Sequence, residues 1–384
     1  MSEYEVMHNQ AKSLADMFRR RGTWLPATSD EPTEEAQPHD VDRSEDDSNY
    51  DRSQECYNIE RAADPASPYV SLGRPLHRRE RHVFRYFLDG SLRTYYMGEL
   101  IEGNKGFPIL AAEIASAVMG RDDDGRMRVA GFADHLTILT PPNPPLSDGT
   151  WQELQQIREQ FSASSTGSTW EIRSLAPGEE WKDLRTSLAG LARSIMHDTE
   201  LELASTVPRE PSQWLIIDGA IRKRLFLDLD YTIGLAKSFS RRPVFRINRS
   251  RSVRDIVSML SGLREGQRTV VFKQVAAVEE GGDVTDSSVK KKIALWYLKL
   301  RSGRGLEGPL QGVVKVEIRH EREDLNEEEV ELVNMLSRAL LAERYVSPYP
   351  VPRWHAHIYP IYTAENYIKA RMRSSIYMRG LLRG

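Results

Sequence analysis

Apolar residues fall into short runs that stop on turn residues, separated by longer stretches with a helical period. Residues 214–217 are continuously apolar and end abruptly on Asp218-Gly219, the pattern of a buried strand closed by a turn. A second such run, 231–235, leads straight into Ala236-Lys237-Ser238. Residues 83–88 repeat the pattern before Asp89-Gly90-Ser91, and 92–97 continue it, which predicts a hairpin turning at Asp89-Gly90-Ser91. Residues 107–118 read as a further strand, with 111–117 equally compatible with helix, and the run 132–139 is ended by the prolines of 141–145. Strands are also predicted over 269–278, 293–301 and 313–318.

Helical spacing is clearest over 179–204, where Trp181, Leu184, Leu188, Leu191 and Ile195 make one buried stripe. At 100° per residue Glu202 falls within about 20° of Ile195, whereas Glu200 points away. Residues 151–161, 252–263 and 326–343 are predicted helices, as is a basic segment over 363–382. Residues 1–21 form a short amphipathic helix with Met7, Ala11, Leu14, Met17 and Phe18 on one side. Strands and helices interspersed in this way predict an α/β fold, a mixed sheet with helices on its faces.

Composition divides the chain in two. Between Asp30 and Asp64 thirteen acids face three arginines, a net −10 against −3 for the whole, which leaves +7 for the rest. Residues 28–68 carry too little apolar content to offset their ordering entropy, and a flexible acidic N-terminal segment is expected there. The expected domains are therefore 1–80, an N-terminal helix and this segment, and 81–384, the folded body. A mildly basic body is compatible with a nucleic-acid partner, and Arg241, Arg242, Arg246, Arg249, Arg251 and Arg254 with Phe245 among them form a candidate binding stretch. Cys56 is the only cysteine, so a disulfide within the chain and a cysteine-based zinc site are excluded. No apolar run has the length of a membrane span and no secretory signal opens the chain, which predicts a cytoplasmic protein with no membrane partner.

The candidate chemistry rests on Asp89, Glu200 or Glu202, Asp218, Lys237 and His357. Carboxylates at strand ends with an imidazole suit Mg²⁺ or Mn²⁺, and a lysine beside them suits a phosphodiester. Each also has an ordinary role, as a turn residue, a solvated strand end or a polar core position. On Asp89-Gly90-Ser91 with Arg93-Thr94-Tyr95-Tyr96, Glu200-Leu-Glu-Leu-Ala204, Ile216-Ile217-Asp218-Gly219, Gly234-Leu-Ala-Lys237-Ser238, Trp296-Tyr297-Leu298-Lys299-Leu300, Gly312-Val-Val-Lys-Val-Glu317 and His357-Ile-Tyr-Pro-Ile361, the chain resembles the NurA family of nucleases in its bacterial form.

That resemblance spans roughly 81–379. It implies an RNase H-like core, Mn²⁺-dependent DNA cleavage, and a homodimer docked on a HerA-type hexameric ATPase and translocase. It places metal ligands at Asp89, Glu200, Asp218 and His357, whereas the helical wheel prefers Glu202 over Glu200. Ala220 departs from the family, which often has Ser or Pro there. DNA end processing and anti-phage defence both fit, as do exonuclease and endonuclease action, and the alternatives are a catalytically inactive adaptor or a DNA-binding subunit of a translocase complex. The stripe of helix 1–21 is too short to support itself and is expected to dock on a second protomer or the translocase.

Overall fold

A computed structural model describes residues 2–27, 34–35, 55–60, 67–76, 82–163, 170–177, 183–221, 226, 228–247, 253–274, 292–302, 308, 310–344 and 354–382. The chain begins with α1 (Glu3–Arg21), then β1 (Thr23–Pro26), β2 (Glu34–Glu35), β3 (Glu55–Asn58) and β4 (Tyr69–Ser71). Three long strands follow, β5 (Phe84–Glu102), β6 (Lys105–Arg121) and β7 (Met127–Thr140), and then α2 (Asp148–Ala163), β8 (Trp170–Ser174) and α3 (Leu184–Thr206). The second half holds β9 (Trp214–Asp218), β10 (Thr232–Ala236), β11 (Val244–Arg246), β12 (Val253–Asp255), α4 (Ile256–Ser261), β13 (Gln267–Thr269), β14 (Phe272–Gln274), β15 (Ile293–Lys299) and β16 (Val313–Arg319). It closes with α5 (Glu327–Glu343), α6 (Tyr359–Arg371) and α7 (Ser375–Leu382).

The expected mixed sheet with flanking helices is present. One sheet runs β12-β11-β3-β14-β15-β16-β10-β9-β5-β6-β7-β8, with the short strands β1 and β2 added to β5, β13 to β15 and β4 to β13. β5, β6 and β7 form an antiparallel meander, β9 runs parallel to β5 and β10 parallel to β9. On one face Phe87, Ile216, Ile233 and Leu235 pack with Leu336 and Leu340 of α5 and with Ile361 and Ala364 of α6. On the other, Leu88, Val118, Leu215 and Ile217 pack with Leu203 and Ala204 of α3. Two helical layers thus enclose the parallel strands.

Asp89-Gly90-Ser91 is not a hairpin turn. It lies inside β5, paired with Ala117, Ser116 and Ala115 of β6, and the chain reverses only at Gly103-Asn104, where Gly103 takes φ +62°. Strand propensity outweighs the turn signal because a glycine within a strand also serves close approach by another group, and Gly90 serves that purpose. Residues 111–117 are strand, as part of β6. The predicted helix 252–263 divides into β12 and α4, and 363–382 breaks between α6 and α7. α3 starts at Leu184 with Asp183 as its cap, its side chain accepting from the N–H groups of Arg185 and Thr186, and Trp181 lies outside the described residues.

Parts of the N-terminal region belong to the body rather than to a separate segment. α1, capped by a Ser2–Glu5 box, buries Met7, Leu14, Met17 and Phe18 completely against Tyr95, Met97, Leu100 and Phe107 of the meander and Met378 and Leu381 of α7. Its apolar stripe is therefore covered by its own chain, not by a second protomer or another protein. β1 pairs with β5, and β3 pairs with both β11 and β14, burying Cys56 and, just beyond, Ile59. Averaging charge over 28–68 hides these apolar positions; the expected flexibility of 28–33, 36–54 and 61–66 concerns residues outside those described. Among the described residues no helix is long and apolar enough to cross a membrane.

Phe18 stacks on Trp24 with ring centroids 5.0 Å apart and has no exposed surface. Phe18→Ala should therefore destabilise the isolated chain by about 3–5 kcal/mol, measured by urea denaturation. A change below about 0.5 kcal/mol would mean that α1 packs elsewhere in solution.

Candidate active site

Strand register brings the two Asp-Gly acids together. In the parallel pair β5–β9, Leu88 lies opposite Ile217, so Asp89 and Asp218 each stand one residue further on, at the same level and on the same face. β9 ends there, and residues 89–92 of β5 pair only with β6 among the described residues, since β2 joins β5 at Arg93 and Thr94. On the other side of β9, Leu235 of β10 is opposite Asp218, and Lys237, two residues on, emerges on that same face. The site thus sits where neighbouring parallel strands stop, a position at which open α/β sheets commonly hold ligands.

The chain around each acid is held from behind. Asp89 Oδ1 accepts the N–H of Gly90 at 3.0 Å. Beyond Asp218, the segment 219–221 crosses over Gly234, where a Cβ would lie 2.7 Å from the Gly219 carbonyl oxygen and 2.8 Å from Ile221 Cγ1. The N–H of Ile221 donates to Glu317 Oε2 at 2.8 Å, and Glu317 is itself paired with Lys315 at 2.8 Å. The backbone after Asp218 is therefore tied to β16.

Glu200 reaches the same place from the opposite face. A Cβ at position 90 would overlap the Glu200 carboxylate, with 3.0 Å to Cδ, so the acid occupies the space that the glycine leaves. Glu200 is 4% exposed, and His197 Nδ1 contacts its Oε2 at 2.9 Å one turn earlier on α3. Glu202 does not face the site, because Ile195 lies off the centre of the buried face of α3. The buried line of α3 runs through Leu188, Ala192, Met196, Thr199, Glu200 and Leu203, with Ile195 on its flank, and Glu202 is exposed. α3 is continuous over Leu184–Thr206, and Glu200 reaches the site from an unbroken helix.

Lys237 and His357 complete the cluster. Lys237 Nζ is 2.7 Å from Asp218 Oδ2 and 3.4 Å from His357 Nδ1. His357 is buried, and the next residue, Ile358, is pinned by a bridge to Arg344 and caps α6. α6 lies close to the sheet because Ala115 and Ala117 of β6 are small where Ile368 and Met372 pack; Ala117 is the partner of Asp89. This packing turns Glu365, which lies between Ile361 and Ile368 on the inward side of α6, toward Asp89.

Asp89 is 8% exposed, and its carboxyl is pushed well above the ordinary range, first by burial and then by the charge of Asp218. Lys237 opposes the shift, while Glu365 and Glu200 add to it. The cluster therefore concentrates negative charge that a nearby cation or a proton relieves. Its donors, three carboxylates and an imidazole, are those a hard divalent cation accepts, with Mn²⁺ tolerating the imidazole. Among the described residues, however, no three His, Cys, Asp or Glu side chains converge closely enough to hold a metal ion.

All of the sequence candidates except Glu202 face this cluster, and His197 and Glu365 join it. A histidine three residues before Glu200 was a legible signal, whereas Glu365 was hidden in a helix read as basic. Three cations of the two basic segments, 241–254 and 363–382, are paired. Arg246 pairs with Glu55, Lys369 with Glu365 at 2.7 Å and Arg373 with Glu3 at 2.9 Å, while Phe245 is core. Arg249 and Arg251 lie outside the described residues. No family model matches the chain, and no curated protein matches it.

A carboxyl with a raised folded-state pKa binds its proton more tightly when folded. Its contribution is favourable below the unfolded value near 3.8 and is lost as pH rises through the folded value. In chelator, Asp89→Asn should thus gain stability over wild type at pH 8 relative to pH 4, read as the difference between their urea midpoints. Parallel pH profiles for the two proteins would show that Asp89 carries no such burden.

Proposed function

We propose that the chain is a divalent-metal-dependent deoxyribonuclease with an RNase H-like core. The carrying observation is the placement of Asp89 and Asp218 at the ends of adjacent parallel strands, with Glu200 meeting them across Gly90. An antiparallel meander extended by two parallel strands, with one acid on its first strand, one at the end of the first parallel strand and one on the intervening helix, supports the RNase H-like assignment.

Asp89, Asp218 and Glu200 would hold Mn²⁺ or Mg²⁺, with His357 as a further donor. Such ions, when bound, supply an activated water and stabilise the leaving oxygen of a phosphodiester. The chain's own contribution is geometric and electrostatic. Gly90 admits Glu200 to the acid pair, and His197 fixes the orientation of its carboxylate through the 2.9 Å contact. The Lys237 ammonium provides positive charge for a nonbridging phosphate oxygen as charge builds there. A phosphodiester is the substrate class that this combination of buried acids and lysine suits, and the sequence resemblance selects DNA. A homodimer and a HerA-type translocase are the partners proposed with it, in DNA end processing or anti-phage defence.

The test is cleavage of labelled single- and double-stranded DNA by the purified chain in Mn²⁺, in Mg²⁺ and in chelator. Cleavage should require metal and fall by about 10²–10³-fold or more in Asp89→Asn, Glu200→Gln and Asp218→Asn, with circular dichroism unchanged. Gly90→Ala should also lose activity while folding, because the Glu200 carboxylate can move aside, and Glu202→Gln should stay within about twofold of wild type. Cleavage that persists in chelator, or a Glu202 variant as impaired as the Glu200 one, would sink the assignment. DNA binding without cleavage under every condition would favour an adaptor.

A further inference from the structure

Lys237 occupies an unusual position for a lysine awaiting substrate. Its side chain is 8% exposed, and its ammonium lies 2.7 Å from Asp218 Oδ2 and 3.4 Å from His357 Nδ1. Two of the four donors that the proposed function gives to a metal therefore already share a cation supplied by the chain. A divalent ion ligated through Asp218 Oδ2 and His357 Nδ1, about 2.0–2.6 Å from each, would lie close to an ammonium held by the same two atoms. Two cations at that separation with little water between them repel strongly, so both cannot stay.

We propose that Lys237 and a divalent cation are alternative partners of the Asp218–His357 pair, and that metal enters by expelling the lysine. This rests on the metal-dependent reading above. The lysine neutralises Asp218 until metal replaces it; once displaced toward the open end of the strands, the same ammonium faces the phosphate. Metal binding and presentation of Lys237 to substrate thus become one event. Competition also fixes a sign. A lysine that merely orients the ligands would weaken metal binding when removed, whereas a competitor strengthens it.

Isothermal titration of the full chain with MnCl₂ separates these outcomes. Lys237→Met should bind Mn²⁺ at least tenfold tighter than wild type even as DNA cleavage falls. Lys237→Arg, which keeps the charge, should show no such gain. Lys237→Gln provides a second neutral variant should Met disturb folding, which circular dichroism monitors, and Asp218→Asn should abolish the gain when combined with either. Neutral variants that bind Mn²⁺ no tighter than wild type would overturn the competition while leaving the metal site standing. Absence of Mn²⁺ binding in wild type and all variants would remove both.

Discussion

A carboxylate is not taken out of water beside a second carboxylate unless a cation or a proton comes with it. The register of β5, β9 and β10 creates that situation at Asp89 and Asp218. Much of the surrounding structure answers it. Lys237 arrives on the adjoining strand, the small side chains of Ala115 and Ala117 let α6 close over the site, and Gly90 opens β5 to an acid from the far side. A fold concerned only with stability would place apolar residues here. Acids retained where burial works against their charge mark a candidate functional site.

Elsewhere the chain buries charge in matched pairs. Arg268 has no exposed surface, yet its guanidinium donates to both oxygens of Glu60, at 2.6 and 2.8 Å, and to Asn334 Oδ1. Arg121 forms a two-point pair with Glu343 under the ring face of Phe87. These pairs join β13 to the chain after β3, and β6 to the end of α5, so they fix distant elements by geometry as much as by energy. The Asp89 cluster is less evenly matched: Lys237 pairs with Asp218 and Lys369 with Glu365, while Asp89 is pushed toward its neutral form.

The parts of the site carried by short-range pattern were legible in the sequence. Apolar runs ending in Asp-Gly reported Asp89 and Asp218, and the run before Lys237 reported a neighbouring strand. What needed the third dimension was less visible. Asp-Gly-Ser has the composition of a turn, and only pairing with β6 keeps it in a strand. A helical wheel locates a buried face from the residues chosen to define it, and Ile195 lies on the flank rather than the centre of that face. Glu365 stands out only because α6 crosses β5 and β6 near Asp89, a long-range fact with no local signature. The docking of α1 on its own sheet was likewise beyond pattern, since an amphipathic stripe states that a partner is required and not which one.

Most of the chain lies between Asp89 and His357, and β5 must pair with β9 across the whole meander, α2, β8 and α3. Local hairpins such as β5–β6 close cheaply, while the β5–β9 ladder pays a long loop-closure entropy before any contact rewards it. Bringing Asp89 and Asp218 together therefore costs more closure entropy than forming the meander. A chain emerging from the ribosome can close the meander before β9 and α6 have been synthesised, whereas the charge cluster needs both.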